Sequence, residues 1–495
     1  MPDLSALFDS PAARALDARA SALAGDAGWG LMAAAGLAAW QYLLQHWPQA
    51  QHLCVVVGAG NNGGDGLVLA RHALQAGRQL SVIGLADSRP TTALAQRAAR
   101  ELQDAGVPIE AFDGELPAAD LLVDGLLGLG LRDAPRAGAQ ALIDAINAHP
   151  APVLALDVPS GVDADRGSVP VRAVRAERTL QFIVAHRGLY TGAALEHAGE
   201  RALAPLAVPA GAWEGVQPAA ERWQGHRLRA LLPPRPANAH KGTSGHVLCV
   251  GGNHGSGGAL LLAAQAALRS GAGLTSLATR AAHVGAALTR LPEAMCHAVD
   301  CNADLQPLLQ RASVIAVGPG LGQDEWAQAL WRDVRACGKP LVVDADALNL
   351  LARDPCALPQ AVLTPHPGEA SRLLECSTAD IQADRFAAAA ALADRFHAVV
   401  VLKGAGSIVA APGYVPALIA AGNPGMAVGG MGDLLTGVIA ALRAQALPAF
   451  DAAAAGALLH GLAGDVAARD GARGLLPTDL LAPLRRLCNP ELPHV

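Results

Sequence analysis

Aromatic side chains are scarce in this sequence, with phenylalanine, tryptophan and tyrosine at 3% of 495 residues. The apolar content of 52% therefore rests mostly on alanine, leucine and valine. No uninterrupted apolar run approaches the roughly 18–20 residues of a membrane-spanning helix, so no membrane anchor is expected. The opening stretch MPDLSALFDSPAARALDARA lacks the basic-then-apolar order of a secretory signal, which makes a cytoplasmic location the expectation. Eight cysteines (54, 249, 296, 301, 337, 356, 376 and 488) contain no CxxC pair. That dispersal argues against a zinc or disulfide framework and for small buried thiols in a reducing compartment. Positive charge is not in excess either, and the formal net charge of −6 gives no general reason to bind nucleic acid or an anionic membrane. Arg132, Arg136, Arg172 and Arg175 are scattered and read as solvated surface. An anionic substrate must then be held by local features.

Length alone calls for two or more domains. In the first half, short apolar runs alternate with amphipathic stretches. HLCVVVG (52–58) reads as a buried strand, LVLARHALQAG (67–77) as a helix, and QLSVIGL (79–85) as a second strand. TTALAQRAARELQDAG (91–106) is a helix, and ADLLVDGLLG, AQALIDAINAH and PVLALDVPSG (152–161) continue the alternation. Strands without period-2 patterning, separated by helices, imply a parallel sheet covered on both faces. Ligands in such sheets gather at the carboxyl ends of the strands, where NNGGDG, the Asp124 region and DVPSG all fall. Between about 213 and 241 the pattern gives way to a proline-rich polar stretch, and a second α/β series follows it. The expected layout is a domain over 1–212, a linker over 213–224 and a different α/β domain over 225–495.

In the second domain, NPGMAVGGMGDLLTGVIAAL (423–442) places Gly425, Gly429, Gly430 and Gly432 before Asp433 and an apolar helix. Such a helix start offers unpaired N–H groups and partial positive charge to an anion. A carboxylate beside it can deprotonate a hydroxyl acceptor of a phosphoryl group. An ordinary aspartate N-cap would explain the same spacing. VVVLKGAGSIV sets Lys403 to Ser407 at a strand end, where lysine and backbone suit a nucleotide. AVLTPHPGEA sets His366 and Glu369 in a proline-fixed turn, with a carboxylate that can support Mg²⁺ through water. LVVDADALN adds Asp344, Asp346 and Asn349, and GPGLG (318–322) permits close backbone approach.

Taken together, GPGLG, DADALN, LTPHPGEA, LKGAGS and NPGMAVGGMGDLLTG make the stretch from about 225 to 490 resemble the ADP/ATP-dependent NAD(P)H-hydrate dehydratases, which have a ribokinase-like fold. The resemblance implies phosphorylation of the hydroxyl of hydrated NAD(P)H, then elimination of phosphate to restore NAD(P)H, with ADP as the expected donor. It assigns Lys403, Gly404, Ala405, Gly406, Ser407 and Gly432 to the adenine nucleotide. It assigns Ala259, Gly320, Gly322, His366 and Asp433 to the hydrate, and Asp433 is the candidate catalytic base. Val428 stands where relatives carry threonine.

In the first domain, Gly63, Gly64 and Gly66 of NNGGDG permit positive φ and close approach, and the helix start behind them can grip a phosphate. Asn61 and Asn62 add carbonyl oxygens that suit a hard or monovalent cation. With VDGLLGLG and DVPSGVDAD, the stretch from about 10 to 212 resembles the NAD(P)H-hydrate epimerases, with a Rossmann-like three-layer fold but no GxGxxG signature. The resemblance implies interconversion of R and S hydrates. It assigns hydrate binding to Asn61, Asn62, Gly63, Gly64 and Asp65, to Gly128, Leu129, Gly130, Leu131, Arg132, Asp133 and Ala134, and to Asp157. Potassium falls to Asn62, Asp124 and Ser160, and Asp157 is the candidate acid/base. The chain departs from the pattern at His186-Arg187, where relatives carry a Pro-Lys pair, and in LMAAAG (31–36), which lacks a glutamate.

The leading expectation is a bifunctional repair enzyme acting on NADHX and NADPHX, without nucleic-acid or membrane partners and as a homo-oligomer. Two alternatives stand beside it. The first domain could be a non-catalytic nucleotide-binding module, or the second could be a ribokinase-like vitamin-precursor kinase.

Overall fold

A computed structural model describes residues 5–86, 89–129 and 134–490. The chain divides after Ala220 into two compact units.

In the first unit β1 (Ala6–Phe8), α1 (Ser10–Ala24) and α2 (Trp29–His46) precede β2 (His52–Val57), α3 (Asn61–Gln75), β3 (Gln79–Gly84) and α4 (Ala93–Asp104). Then come β4 (Glu110–Ala111), β5 (Leu121–Gly125), α5 (Ala137–Ala148), β6 (Val153–Leu156), β7 (Arg178–Phe182), β8 (Ala185–His186) and β9 (Glu200–Ala204). The main sheet is parallel throughout, in the order β4-β3-β2-β5-β6-β7-β9. Alternation along β2 explains its unbroken apolar run. Leu53, Val55 and Val57 pack with residues of α2 and α3 on one face. Cys54 and Val56 pack with Ala139, Leu142, Ile143 and Ile146 of α5 on the other. Both faces are covered, so the unit has three layers. The order reverses between β2 and β5, which opens a crevice at their carboxyl ends.

The second unit starts with the last two residues of β10 (Ala220–Arg222) and continues with α6 (Leu228–Leu231), β11 (His246–Val250), α7 (Gly257–Arg269), β12 (Leu274–Thr279), α8 (Ala281–Arg290) and β13 (Met295–Ala298). It continues with α9 (Asn302–Arg311), β14 (Val314–Val317), α10 (Glu325–Ala336), β15 (Leu341–Val343), α11 (Ala345–Arg353), β16 (Ala361–Leu363) and α12 (Pro367–Leu374). The last elements are α13 (Thr378–Ala383), α14 (Arg385–Phe396), β17 (Val399–Leu402), β18 (Ser407–Ala410), β19 (Ala417–Ile419), α15 (Met431–Ala444), α16 (Ala449–Ala467) and α17 (Leu481–Leu487). Strand order is β13-β12-β11-β14-β15-β16-β17-β18-β19-β10, parallel up to β17 and antiparallel through β18 and β19. One face is covered by α7, α15, α16 and α17, whose alanines and leucines join Val247 and Cys249 in one core.

One expectation is corrected. The helix after β2 begins at Asn61, not near 67, so NNGGDG is its first turn. Gly63, Gly64 and Gly66 keep ordinary helical φ. Glycine is needed at 63 for space, because a Cβ there would lie 2.1 Å from the Gly58 carbonyl oxygen. Within 213–224, Glu221 and Arg222 of β10 pair with Ala417 and Leu418, so that stretch is not bare connection. Three residues are too few to show a strand period.

Candidate active sites

In the first unit a cavity of about 970 Å³ opens at the crevice, lined by Asn61, Asn62, Gly63 and Asp65 of α3. Gly128, Leu129, Ala134, Asp157 and His186 complete its polar side, with Asp17 of α1. Gly64 lies beneath, buried against Met32. Gly130, Leu131, Arg132 and Asp133 lie outside the described residues. Asn61 Oδ1 accepts from Thr92 Oγ1 at 2.7 Å, which ties the helix start to the N-cap of α4. The Arg14 guanidinium donates to the Leu129 carbonyl and steadies that loop.

Asn62, Asp124 and Ser160 come together. Asn62 Nδ2 donates to the Leu127 carbonyl at 2.6 Å, and its Oδ1 is buried with no hydrogen-bond partner. Asp124, fully buried at the end of β5, accepts from Ser160 Oγ at 2.6 Å, Ser160 N at 2.8 Å and Leu126 N at 3.2 Å. Burial pushes its carboxyl up to about 6, against the pull of the Ser160 and Leu126 hydrogen bonds. Asn62 and Ser160 both bond to Leu127, and Ser160 to Asp124, so the orphaned amide oxygen and the buried carboxylate are groups that could hold a cation. The side-chain donors of Asn62, Asp124 and Ser160 that face this point are oxygens, which suit a hard cation.

Asp157 follows β6 with φ 63°, a left-handed conformation rare for a side-chain-bearing residue and characteristic of constrained sites. Its Oδ1 accepts from Phe182 N at 3.3 Å and lies 2.8 Å from His186 Nε2. Burial first, and then the charge of Asp157, raise the Asp65 carboxyl well above the usual range; the same two causes raise Asp17. Arg187 turns elsewhere, donating to the Asp165 carbonyl at 3.0 Å.

In the second unit the predicted residues gather beyond the carboxyl ends of β14 to β17. Asp344 is buried, accepting from Lys403 Nζ at 2.7 Å and Thr436 Oγ1 at 2.8 Å. Burial raises its carboxyl, but the Lys403 ion pair and these hydrogen bonds outweigh that and hold it below the usual value. Burial pulls the Lys403 ammonium down, but Asp344 and Glu369, whose carboxylate is 3.7 Å away, hold it up. Lys403 is thus anchored inward, and a Cβ on Gly432 would sit 3.1 Å from its Nζ. His366 caps α12, with Nδ1 accepting from Gly368 N at 2.9 Å while Glu369 Oε2 accepts from His366 N at 2.8 Å. Asp433 stands in the first turn of α15, behind Gly430 at φ 95°. Burial, then Asp344, push its carboxyl up to about 6, with Lys403 pulling the other way.

Gly320 and Gly322 both take left-handed φ, and Gly322 N donates to Asp346 Oδ2 at 2.8 Å. Ala259 lies in the first turn of α7, beside Ser256, which packs against Gly320. The stretch Gly404, Ala405, Gly406 and Ser407 forms the turn between β17 and β18, and Ser407 Oγ donates to the Gly404 carbonyl at 3.2 Å. Sequence reasoning missed what holds this turn. Buried Arg385 donates to the carbonyls of Leu402, Lys403 and Gly406 at 3.3, 3.3 and 3.4 Å. It also missed Thr436 and Asp17; a threonine one helical turn after Asp433 was the available signal for the first. Val428 is 39% exposed.

These two clusters define the class: a two-unit α/β enzyme with one acid-bearing site at strand ends in each unit. A family model described as NAD(P)H-hydrate dehydratase matches residues 247–486, and one described as YjeF-related protein N-terminus matches residues 29–188. The chain is 44% identical over 465 residues to the bifunctional NAD(P)H-hydrate repair enzyme Nnr of Escherichia coli strain K12, covering 93% of this chain and 90% of that protein. Identity to the protein of the same description from Coxiella burnetii is 45% over 462 residues, covering 93% and 95%. A solved ribokinase-like superfamily protein from Enterococcus faecalis V583 matches with a TM-score of 0.51 and 31% identity, covering 55% of this chain and 96% of that one. The chain belongs to the family of bifunctional NAD(P)H-hydrate repair enzymes.

Proposed function

We propose that residues 1–212 epimerise the R and S forms of NADHX and NADPHX, and that 225–495 dehydrate the S form, with 213–224 between them. The observation that carries the dehydratase role is Asp433, a half-buried carboxylate in the first turn of α15 beside the Lys403–Asp344 pair. Asp433 takes the proton of the substrate hydroxyl. That oxygen attacks the terminal phosphorus of ADP, and AMP leaves. The C–O bond then breaks with phosphate as leaving group, and loss of a proton from the adjacent carbon restores NAD(P)H. Hydroxide is a poor leaving group and phosphate a good one, so the nucleotide serves as co-substrate. The Lys403–Ser407 turn and Gly432 are the nucleotide's seat, and Ala259, Gly320, Gly322 and His366 the hydrate's.

Mg²⁺ fits this unit. Asp344 acts electrostatically on both Glu369 and Asp433, and all three have Lys403 as a positive neighbour. A hard cation bound through water and substrate phosphates would neutralise charge developing on the phosphates. Potassium fits the first unit, where Asn62, Asp124 and Ser160 would hold it and it would keep Asp124 ionised. There the α3 start and the 128–134 loop bind the hydrate, and Asp157 moves the proton. The protein is read as a cytoplasmic homo-oligomer. The test is NADPH recovery from separate R and S hydrates with ADP or ATP, with and without K⁺. Failure of the S hydrate to yield NADPH, with a stable phosphorylated product instead, would replace the dehydratase reading by a kinase one.

A further inference from the structure

His186 is 1% exposed, yet its ring forms part of the cavity wall. Its Nε2 lies 2.8 Å from Asp157 Oδ1, and its Nδ1 has no hydrogen-bond partner. The backbone is fixed from two sides. Phe8 of β1 stands opposite His186 in a parallel pair. His186 N donates to Gln181 Oε1 at 2.8 Å, and Gln181 Nε2 donates to the Tyr190 hydroxyl at 3.1 Å. Leaving Nδ1 of a buried imidazole unpaired has a cost, and the ring's one polar partner among the described residues is the positive-φ Asp157. The arrangement fixes one oxygen of Asp157 and leaves its second oxygen to the cavity chemistry.

We infer that His186 is the positioning residue that makes Asp157 an effective acid–base group for epimerisation. The inference rests on reading the first unit as an epimerase. Water added across an enamine places its hydroxyl on the carbon bonded to nitrogen. Protonated Asp157 gives its proton to that hydroxyl. The C–O bond breaks, its electron pair leaves with water, and the nitrogen lone pair forms a C=N⁺ bond. Water then adds to the opposite face and returns a proton to the Asp157 carboxylate. In between, His186 Nε2–H stabilises that carboxylate through a charge-assisted hydrogen bond between two largely buried side chains.

The test uses the full chain with R hydrate, ADP and K⁺, following NADPH, with S hydrate as the internal control. His186→Ala should lower the epimerisation kcat roughly 10–100-fold, the loss implied by a hydrogen bond to a charged group. KM for R hydrate and turnover of S hydrate should stay within about twofold, since catalysis and not binding is affected. Added imidazole should restore part of the lost rate to His186→Ala but none to Asp157→Ala. His186→Gln, which keeps an N–H donor, should retain more activity than His186→Ala. An unchanged kcat in His186→Ala would overturn the inference. So would a loss that neither imidazole nor glutamine recovers in a variant whose melting transition matches wild type. If wild type itself never converts R hydrate, the epimerase reading fails instead.

Discussion

Replacing Asp433 with asparagine should slow dehydration of the S hydrate by roughly 10²–10⁴-fold, the span expected on removing a general base, while making the second unit more stable. Burial raises this carboxyl from 3.8 to about 6. The folded state therefore binds the proton more tightly than the unfolded state. Stability from this group is lost as pH rises from the unfolded value through about 6, and the loss is complete near pH 8. At 1.36 kcal/mol per pH unit the raised value corresponds to about 3 kcal/mol. Partial solvent access screens some of that, and the N-terminus of α15 favours the negative charge by about 0.3–1 kcal/mol. A net gain of about 1–2 kcal/mol remains for asparagine, or about 2–8 °C in Tm for a unit of this size. Calorimetry at pH 8 and pH 5, paired with the NADPH-recovery assay, reads both effects. The Tm difference should shrink at pH 5, and the wild-type rate should fall on the acid side with an apparent pKa near 6. Retained turnover, or a Tm below wild type at pH 8, would refute the picture of a base whose carboxyl is raised by partial burial.

Three further outcomes follow from the geometry. Gly63→Ala would place a Cβ 2.1 Å from the Gly58 carbonyl oxygen, so use of R hydrate should disappear while S hydrate is still dehydrated; persistent R conversion would count against the tight α3 start. Arg385→Leu removes donors to three turn carbonyls, and calorimetry should show a loss of about 1–3 kcal/mol together with a raised KM for ADP; an unchanged KM would separate Arg385 from the nucleotide turn. Asp124→Asn and Asn62→Ala should flatten the dependence of epimerisation on K⁺ measured against choline, whereas a surviving K⁺ response in both would remove the proposed cation site.

Much of this was legible in the sequence because strand-end motifs report where a parallel sheet places its polar residues. Asp344, Lys403, His366 and Asp433 were singled out separately, and the fold brings them to one end of β15, β16, β17 and the start of α15. The helical start of NNGGDG was not legible, since three glycines in six residues argue locally for a turn and only packing against Gly58 and Met32 makes glycine the right choice within a helix. The inward anchoring of Lys403 was equally hidden, because its partner lies 59 residues earlier. Arg385 gave no signal at all. A single arginine at a helix start reads as surface until a neighbouring turn closes over it.

The central claim is that one chain handles both epimers, and a time course with pure R hydrate, ADP and K⁺ tests it most directly. The account predicts full recovery of NADPH from R hydrate in wild type, and in Asp157→Ala recovery from S hydrate alone. Wild type that dehydrates S hydrate and leaves R hydrate untouched would contradict it.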